Sequence, residues 1–381
     1  MLACLACFLT LQVPLEQPPR LRTVLPNGAV TLVEKVPGAK TIAVQLFASS
    51  RGTEETPITN GLRHLLEHLI AKGPKGDLDR RLERAGGFLT AETTRDAMVF
   101  KLSLPVGKLD LGIKCLTELM QAPDITTESI KHEADILDQE AALRDDSAKF
   151  SAAAWFQAYG ESGLDPAGNL DVIRDATPAM LKSIHKIQFS GSNLVIAVAG
   201  DLDLDKTTNA FSSLLMSAPK TTVVPHVRKE GVGGTTTVEA LGLAYAVPVP
   251  GFRKPETVAR LAAALALASE SDHCYVIYTP SNNPGLITIG RSEDKPGLAR
   301  AVSTAKPEQL YSRGRILAKA WISRMLNTPE QIAGIRGLLI VNAIDLKPDT
   351  LIENLNAMTF KQFTAAVDFF RSSDAIVVNG R

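Results

Sequence analysis

Apolar residues in this chain fall into short alternating runs and longer runs of helical period, interleaved from end to end. Thr23-Val24-Leu25 and Ala29-Val30-Thr31-Leu32-Val33 flank Pro26-Asn27-Gly28, which predicts a hairpin with an Asn-Gly turn. Residues 41–47 predict another strand, and the polar stretch 51–60 a loop. Leu62, Leu65, Leu66 and Leu69 recur at helical spacing within 61–71. Residues 77–85 predict a second helix, ended by Gly86-Gly87. Residues 88–104, with Met98, Phe100 and Leu102 alternating, read as one half-buried strand.

Residues 108–121 form an amphipathic helical pattern, and Pro123-Asp124 breaks it. Thr126 or Thr127 can cap a long helix running to about residue 144. Helices are expected over 151–159, 177–189 and 205–215, with a strand at 194–200. Residues 217–227, with Pro219 and Pro225, read as a linker. A second mixed pattern follows. Residues 235–247 are extended, 257–268 helical, 286–289 a strand, 315–325 and 329–339 helical, and 375–378 a last strand. The class expected is α+β, and 381 residues suit two domains, 21–216 and 228–381.

Composition narrows the function classes. Lys plus Arg and Asp plus Glu number 41 each, so the formal net charge is zero. A protein that binds nucleic acid by neutralising phosphates needs a basic surface, so no nucleic-acid partner is expected. Residues 1–20 hold an apolar run that is too short to span a bilayer, and no integral membrane span is expected. The run has the apolar core of a signal peptide without a preceding Lys or Arg. Export to a periplasmic or extracellular compartment and a plain hydrophobic tail on a cytoplasmic protein are both open. Cys4 and Cys7 form an isolated CxxC in that run, and Cys115 and Cys274 are expected as unbridged thiols.

The chemistry concentrates in His64-Leu65-Leu66-Glu67-His68. Four-residue spacing on a helix stacks both imidazoles on one face, with Glu67 close by. Neutral imidazoles suit Zn²⁺, and the carboxylate can take a proton from a metal-bound water. The order His-x-x-Glu-His is that of the inverzincins. The competing interpretation is a solvated helix face. Two of only six histidines in this motif favour the metal. A catalytic zinc wants a third protein ligand. The helix after Pro123 carries Glu128, Glu133, Asp135, Asp138 and Glu140. Glu133 and Glu140 share a face about two turns apart, so one can ligate and the other cannot. His132 points elsewhere and is read as a surface residue.

These residues resemble the insulinase-like zinc metallopeptidases, the group that includes pitrilysin and mitochondrial-processing peptidase. The similarity runs through Leu25-Pro26-Asn27-Gly28, the segment 61–68, Lys72-Gly73, Gly86-Gly87 with Ala91 and Thr93, Glu133 with 136–140, and the strand ending Gly200-Asp201. It is strong over 21–215 and weak beyond. The resemblance implies two related domains, each a mostly antiparallel sheet packed with helices, together half of a four-domain clamshell. Residues 228–381 would then be a degenerate second domain. It implies His64, His68 and Glu140 as zinc ligands, Glu67 as general base, and Glu133 as an additional acidic residue that orients a ligand. It implies hydrolysis of oligopeptides or unfolded segments, with the peptide added as a strand beside 89–94. It also implies a homodimer or a heterodimer with a second insulinase-like chain.

Two departures stand out. Thr90 occupies a position where the family usually has Asn. The Ser-Arg-Leu segment and following Tyr of the family's second domain have no counterpart after residues 261–270, which leaves Tyr275 or Tyr278 for the Tyr and nothing for the Arg. The alternative function is therefore a non-catalytic or half-site interaction subunit of the same fold that works with a partner chain.

Overall fold

The computed structural model describes residues 19–221, 227–292, 295–341 and 350–381. The apolar leader with its CxxC and the middle of the expected linker lie outside the described residues. The chain builds two sheets. The first half runs β1 (Arg20–Val24), β2 (Val30–Lys35), β3 (Thr41–Ser49), α1 (Leu62–Ala71), α2 (Leu78–Arg84), β4 (Phe88–Thr93) and β5 (Ala97–Pro105). It continues with α3 (Leu109–Met120), α4 (Thr127–Ala142), α5 (Asp146–Tyr159), α6 (Leu170–Arg174), α7 (Pro178–Gln188), β6 (Leu194–Gly200) and α8 (Leu204–Met216). The second half runs β7 (Gly234–Val238), β8 (Leu243–Val249), α9 (Pro255–Ala268), β9 (Tyr275–Ile277), β10 (Gly285–Arg291) and α10 (Lys295–Thr304). It ends with α11 (Pro307–Arg324), α12 (Pro329–Ile340), α13 (Thr350–Ala357), α14 (Phe360–Phe369) and β11 (Ile376–Gly380).

The first sheet has the order β1-β2-β6-β3-β5-β4 and the second β7-β11-β8-β10-β9. Removing β1 makes the two orders correspond strand for strand. In each sheet one pair is parallel, β2 with β6 and β7 with β11, and the other pairs are antiparallel. The mixed α/β architecture of two helix-packed sheets is the expected one. The second half has no helix between α9 and β9 to match α2, so its edge strand β9 follows almost directly.

Each sheet is buried on both faces, and the second layer comes from the opposite half. Ile42, Val44, Leu46 and Ala48 of β3 pack with α1, α3, α7 and α8. The alternate residues Ala43 and Phe47 pack with Ile332, Ala333 and Ile340 of α12. Phe47 lies directly over Gly337, where an added Cβ would fall 1.9 Å from the ring. In return, Phe150, Ala154 and Ala158 of α5 cover Ala244, Ala246, Leu286, Ile376 and Val378 of the second sheet. This exchange explains why β6 is apolar throughout and β3 is apolar on both faces apart from Thr41, Gln45 and Ser49.

Among the described residues, the ion pairs of Arg336 with Glu34 and of Arg228 with Asp96 join the halves. Arg336 on α12 donates to Glu34 on β2 at 2.8 and 3.4 Å, with both side chains almost fully buried. Arg228 donates to Asp96, which also accepts from Ser281 at 2.6 Å and Asn283 at 3.2 Å. Burial alone would raise the Asp96 carboxyl, but Arg228 and these donors outweigh it and hold it below the usual range.

Some elements differ from the sequence expectation. Residues 88–104 form a hairpin rather than one strand. The Thr94 hydroxyl closes its turn by donating to the Ala97 carbonyl and accepting from the Ala97 N–H. Residues 235–247 likewise split into β7 and β8. Helix α11 begins at Pro307 rather than near Arg315, and α6, α10, α13, α14 and β9 had no counterpart in the sequence reading. Thr126 rather than Thr127 caps α4, in a reciprocal box with Ser129. No disulfide joins Cys115 and Cys274. No helix among the described residues is long and apolar enough to cross a membrane.

Arg336→Ala leaves Glu34 buried without a partner and should cost about 3–5 kcal/mol in denaturant unfolding, whereas the double change Glu34→Leu, Arg336→Met should recover most of the loss. A single-variant loss under 1 kcal/mol would contradict that reading. A group whose folded pKa is depressed contributes stability above its unfolded pKa and loses it as pH falls through its folded pKa. The gap between wild type and Asp96→Asn should therefore be wide at neutral pH and close on acidification. A gap that widens in acid would refute it.

Candidate metal centre

Helix α1 places the motif. Leu62, Leu65, Leu66, Leu69 and Ile70 are buried against the first sheet, which fixes the rotation of the helix. His64 and His68 then project from the flank that meets α4, with ring centroids 5.0 Å apart and planes at 84°. Glu140, on the last turn of α4, brings its Oε2 to 3.8 Å from His64 Nε2 and 3.7 Å from His68 Nε2. One donor atom from each of these three residues lies within 4.8 Å of the others. Ligand atoms around a tetrahedral zinc stand roughly 3.3–3.5 Å apart, so only a small closure is required. Two imidazoles and a carboxylate are a suitable donor set for zinc, and the half-exposed Glu140 leaves the site open on one side.

Both imidazoles are held by their other nitrogen. His64 Nδ1 lies 3.2 Å from the Ala167 carbonyl, which can only accept, so Nδ1 carries the proton and Nε2 keeps its lone pair. Burial, partly opposed by that carbonyl, lowers the His64 pKa and favours the neutral ring. His68 Nδ1 faces Glu133 Oε2 at 3.4 Å, and the other Glu133 oxygen accepts from Lys72. Burial would lower His68, but Glu133 and Glu140 outweigh it and raise the pKa.

Glu67 points to the other flank, towards β4. It is buried and accepts from the Thr93 hydroxyl at 2.8 Å. Burial pushes its carboxyl up to about 7 in the metal-free site. β4 is the edge strand of its sheet, with Phe88, Thr90 and Glu92 exposed and Leu89, Ala91 and Thr93 half-buried.

The Ala167 carbonyl arrives through a close backbone approach. Asn60 donates to the Asp165 carbonyl at 2.8 Å and accepts from the Asn169 N–H at 3.1 Å. Arg144, just past α4, pairs with Asp165 at 2.6 Å. Gly61, with φ +100°, abuts Gly168, with φ +93°. A Cβ on Gly168 would fall 2.3 Å from Gly61 Cα.

The structure brings together His64, His68 and Glu140, sets Glu133 behind His68, and sets Glu67 beside β4. His132 and Glu128 are exposed, and Asp138 pairs with Arg174. Tyr278 is buried in the second core against Trp321, so it cannot replace the missing Tyr. Tyr275 is half-buried on β9 with its ring over Gly290. Sequence reasoning missed the Ala167 carbonyl, the Lys72 partner of Glu133 and the Thr93 partner of Glu67. Lys72 lies one helical turn beyond His68, which was a readable signal. A backbone carbonyl had none except Gly168 beside it.

An inverted His-x-x-Glu-His helix, a distant carboxylate and an adjacent sheet edge thus meet on this two-sheet fold. Residues 30–161 match the family description Insulinase (Peptidase family M16). An uncharacterized zinc protease of Streptomyces coelicolor is 24% identical over 58% of this chain and 51% of its own length. The mitochondrial-processing peptidase subunit beta of Blastocladiella emersonii is 28% identical over 48% of this chain and 41% of its own. The chain thus spans about half the length of the curated relatives it matches. Among solved structures, a protease from Helicobacter pylori superposes with TM-score 0.82 at 16% identity, over 95% of this chain and 99% of that one. A peptidase M16 inactive domain from Pseudomonas fluorescens gives 0.76 at 14% identity, over 95% and 98%. The periplasmic protease PqqL from Escherichia coli gives 0.72 at 14% identity, with 96% of this chain covering 48% of that one.

Gly168→Ala should cost roughly 2–4 kcal/mol and weaken metal retention, because it combines a left-handed backbone with a clash. Gly38→Ala, at φ +78° with nothing within 4 Å, should cost about 1 kcal/mol and leave metal retention unchanged. Equal losses in thermal unfolding would remove the role of the Gly61–Gly168 approach.

Proposed function

We propose that this chain is a zinc-dependent peptidase that hydrolyses peptide bonds of oligopeptides or unfolded segments. The observation that carries the reading is the convergence of His64 Nε2, His68 Nε2 and Glu140 Oε2, with Glu67 buried alongside a sheet edge. His64, His68 and Glu140 hold the metal, and Glu133 orients His68. A bound zinc supplies an acidified water and an electrophile for the scissile carbonyl. Glu67 removes the proton of the attacking water and returns it to the departing amine. Thr93 fixes the carboxylate for both transfers. The substrate backbone adds to β4 as a further strand, which tolerates many sequences. Thr90, exposed on that edge, has a hydroxyl to offer where an amide would present a separate donor and acceptor.

A second reading is favoured by the burial of Tyr278 and the lack of an Arg to accompany Tyr275. In that reading the chain is half of a pair, either a homodimer or a heterodimer with another insulinase-like chain. The partner then completes the substrate-holding surface. The zinc half of the site is the same in both.

Purified chain should carry about one zinc by elemental analysis. Glu140→Ala should lose it, and Glu133→Gln should weaken zinc affinity about 10–100-fold in a chelator competition. Glu67→Gln should keep the metal while peptide cleavage drops at least about 100-fold; undiminished turnover would refute the general-base role. Light scattering combined with an assay on mixed unstructured peptides separates the two readings. Activity from a monomer would exclude the paired form.

A further inference from the structure

A cavity of about 240 Å³ lies beside the first turn of α1, between the end of β3, the β4–β5 turn and the start of the second half. Arg51, Arg63 and Arg95 all line it. Arg63 is only 2% exposed. Its Nε stands 3.6 Å from Glu55, and both Nε and Nη1 are buried without an acceptor. Glu55 is already engaged with the Asn60 amide and the Gly61 N–H. Arg51 donates through Nη2 to the Ser192 carbonyl, and its Nε is buried without an acceptor. Arg95 lies 4.2 Å over the Trp155 ring and reaches the Gly163 carbonyl at 3.3 Å. Arg51 and Arg95 are thus held by carbonyls and a ring rather than by carboxylates.

Glu54, Glu55, Asp96 and Glu161 also line the cavity opposite Arg51, Arg63, Arg95 and Arg228, but most of these acids have other hydrogen-bond partners. Asp96 is taken by Arg228, Ser281 and Asn283. Glu54 accepts from the Gly52 N–H at 2.8 Å. Glu161 is exposed at the rim. A guanidinium removed from water is costly unless it is paired and hydrogen-bonded, and its fork matches a planar or tetrahedral oxyanion. Burial lowers the Arg51 pKa against the opposing charge of Glu54, and pushes Arg95 down to about 9 against the opposing charge of Asp165.

We propose that this cavity binds a small oxyanion, through Arg51, Arg63 and Arg95. The shared chemistry is a phosphate or carboxylate group, supplied by a soluble phosphate or by the free end of a peptide. His64, His68 and Glu140 do not line this cavity, and its proposed ligand does not depend on the peptidase reading. Its volume admits one such group with a few waters, at roughly 30 Å³ per water.

The test uses the full chain at constant zinc. Thermal unfolding and calorimetric titration are run with inorganic phosphate and with chloride at matched ionic strength. Phosphate should raise the unfolding midpoint in a concentration-dependent way that chloride does not reproduce. Arg51→Met and Arg95→Met should each weaken phosphate binding about tenfold or more. Glu161→Gln removes a repelling charge at the rim and should tighten it about two- to threefold. A peptide with a free C-terminal carboxylate and its amidated twin then compete against bound phosphate. Displacement by the acid alone identifies a peptide end as the source, and displacement by neither identifies a soluble phosphate. No phosphate effect beyond chloride, which is what a water-filled cavity would give, overturns the proposal. So does phosphate binding that both arginine variants leave intact. If those variants fail to fold, the Glu161→Gln titration decides, and unchanged affinity overturns it.

Discussion

The rotation of α1 about its own axis is the constraint on which the proposed metal centre depends. Four leucines and Ile70 face the first sheet and leave the helix one orientation. With that face committed, residues 64 and 68 must face α4, and residue 67 must face β4. A slip of one residue would bury an imidazole and expose a leucine, at about 1.5–3 kcal/mol for the leucine alone. The core thus aims three functional side chains without any of them helping to fold it. The backbone contact of Gly61 with Gly168 adds the finer restraint, setting one carbonyl against one ring nitrogen.

A second layer of order comes from the exchange of helices. α12 covers the first sheet and α5 the second, so neither sheet is complete without the other half. The β4–β5 turn sits at that junction. Asp96 anchors it to the second half, and Thr93, three residues earlier, holds Glu67. The positioning of the buried carboxylate is therefore tied to the packing of the two halves. The arginine-lined cavity lies along the same seam, where Asp96 is ion-paired with Arg228 and Arg95 rests on the Gly163 carbonyl and the Trp155 ring.

Much of this was readable from residue patterns, and the failures have physical causes. The α1 helix was legible because four leucines at helical spacing leave little choice. The third proposed ligand was not fixed by spacing. Glu133 and Glu140 share a face, and only the meeting of α4 with α1 puts Glu140 at both Nε2 atoms and Glu133 behind His68. The hairpin within 88–104 was missed because its turn is closed by the Thr94 hydroxyl, with no glycine or proline to mark it. Tyr278 was a plausible substrate contact by residue type, yet it fills the second core. The helix exchange could not be foreseen, since Phe47 meets Gly337 across most of the chain. The arginine-lined cavity was equally hidden, because its arginines are scattered in sequence and the net charge is zero.

X-ray absorption at the zinc edge on the zinc-loaded chain tests the central claim most directly. The coordination proposed here predicts two imidazole nitrogens at about 2.0–2.1 Å with oxygen ligands completing the shell, and loss of an imidazole contribution in His68→Ala. A shell containing sulfur at about 2.3 Å, or one unchanged by that substitution, would contradict it.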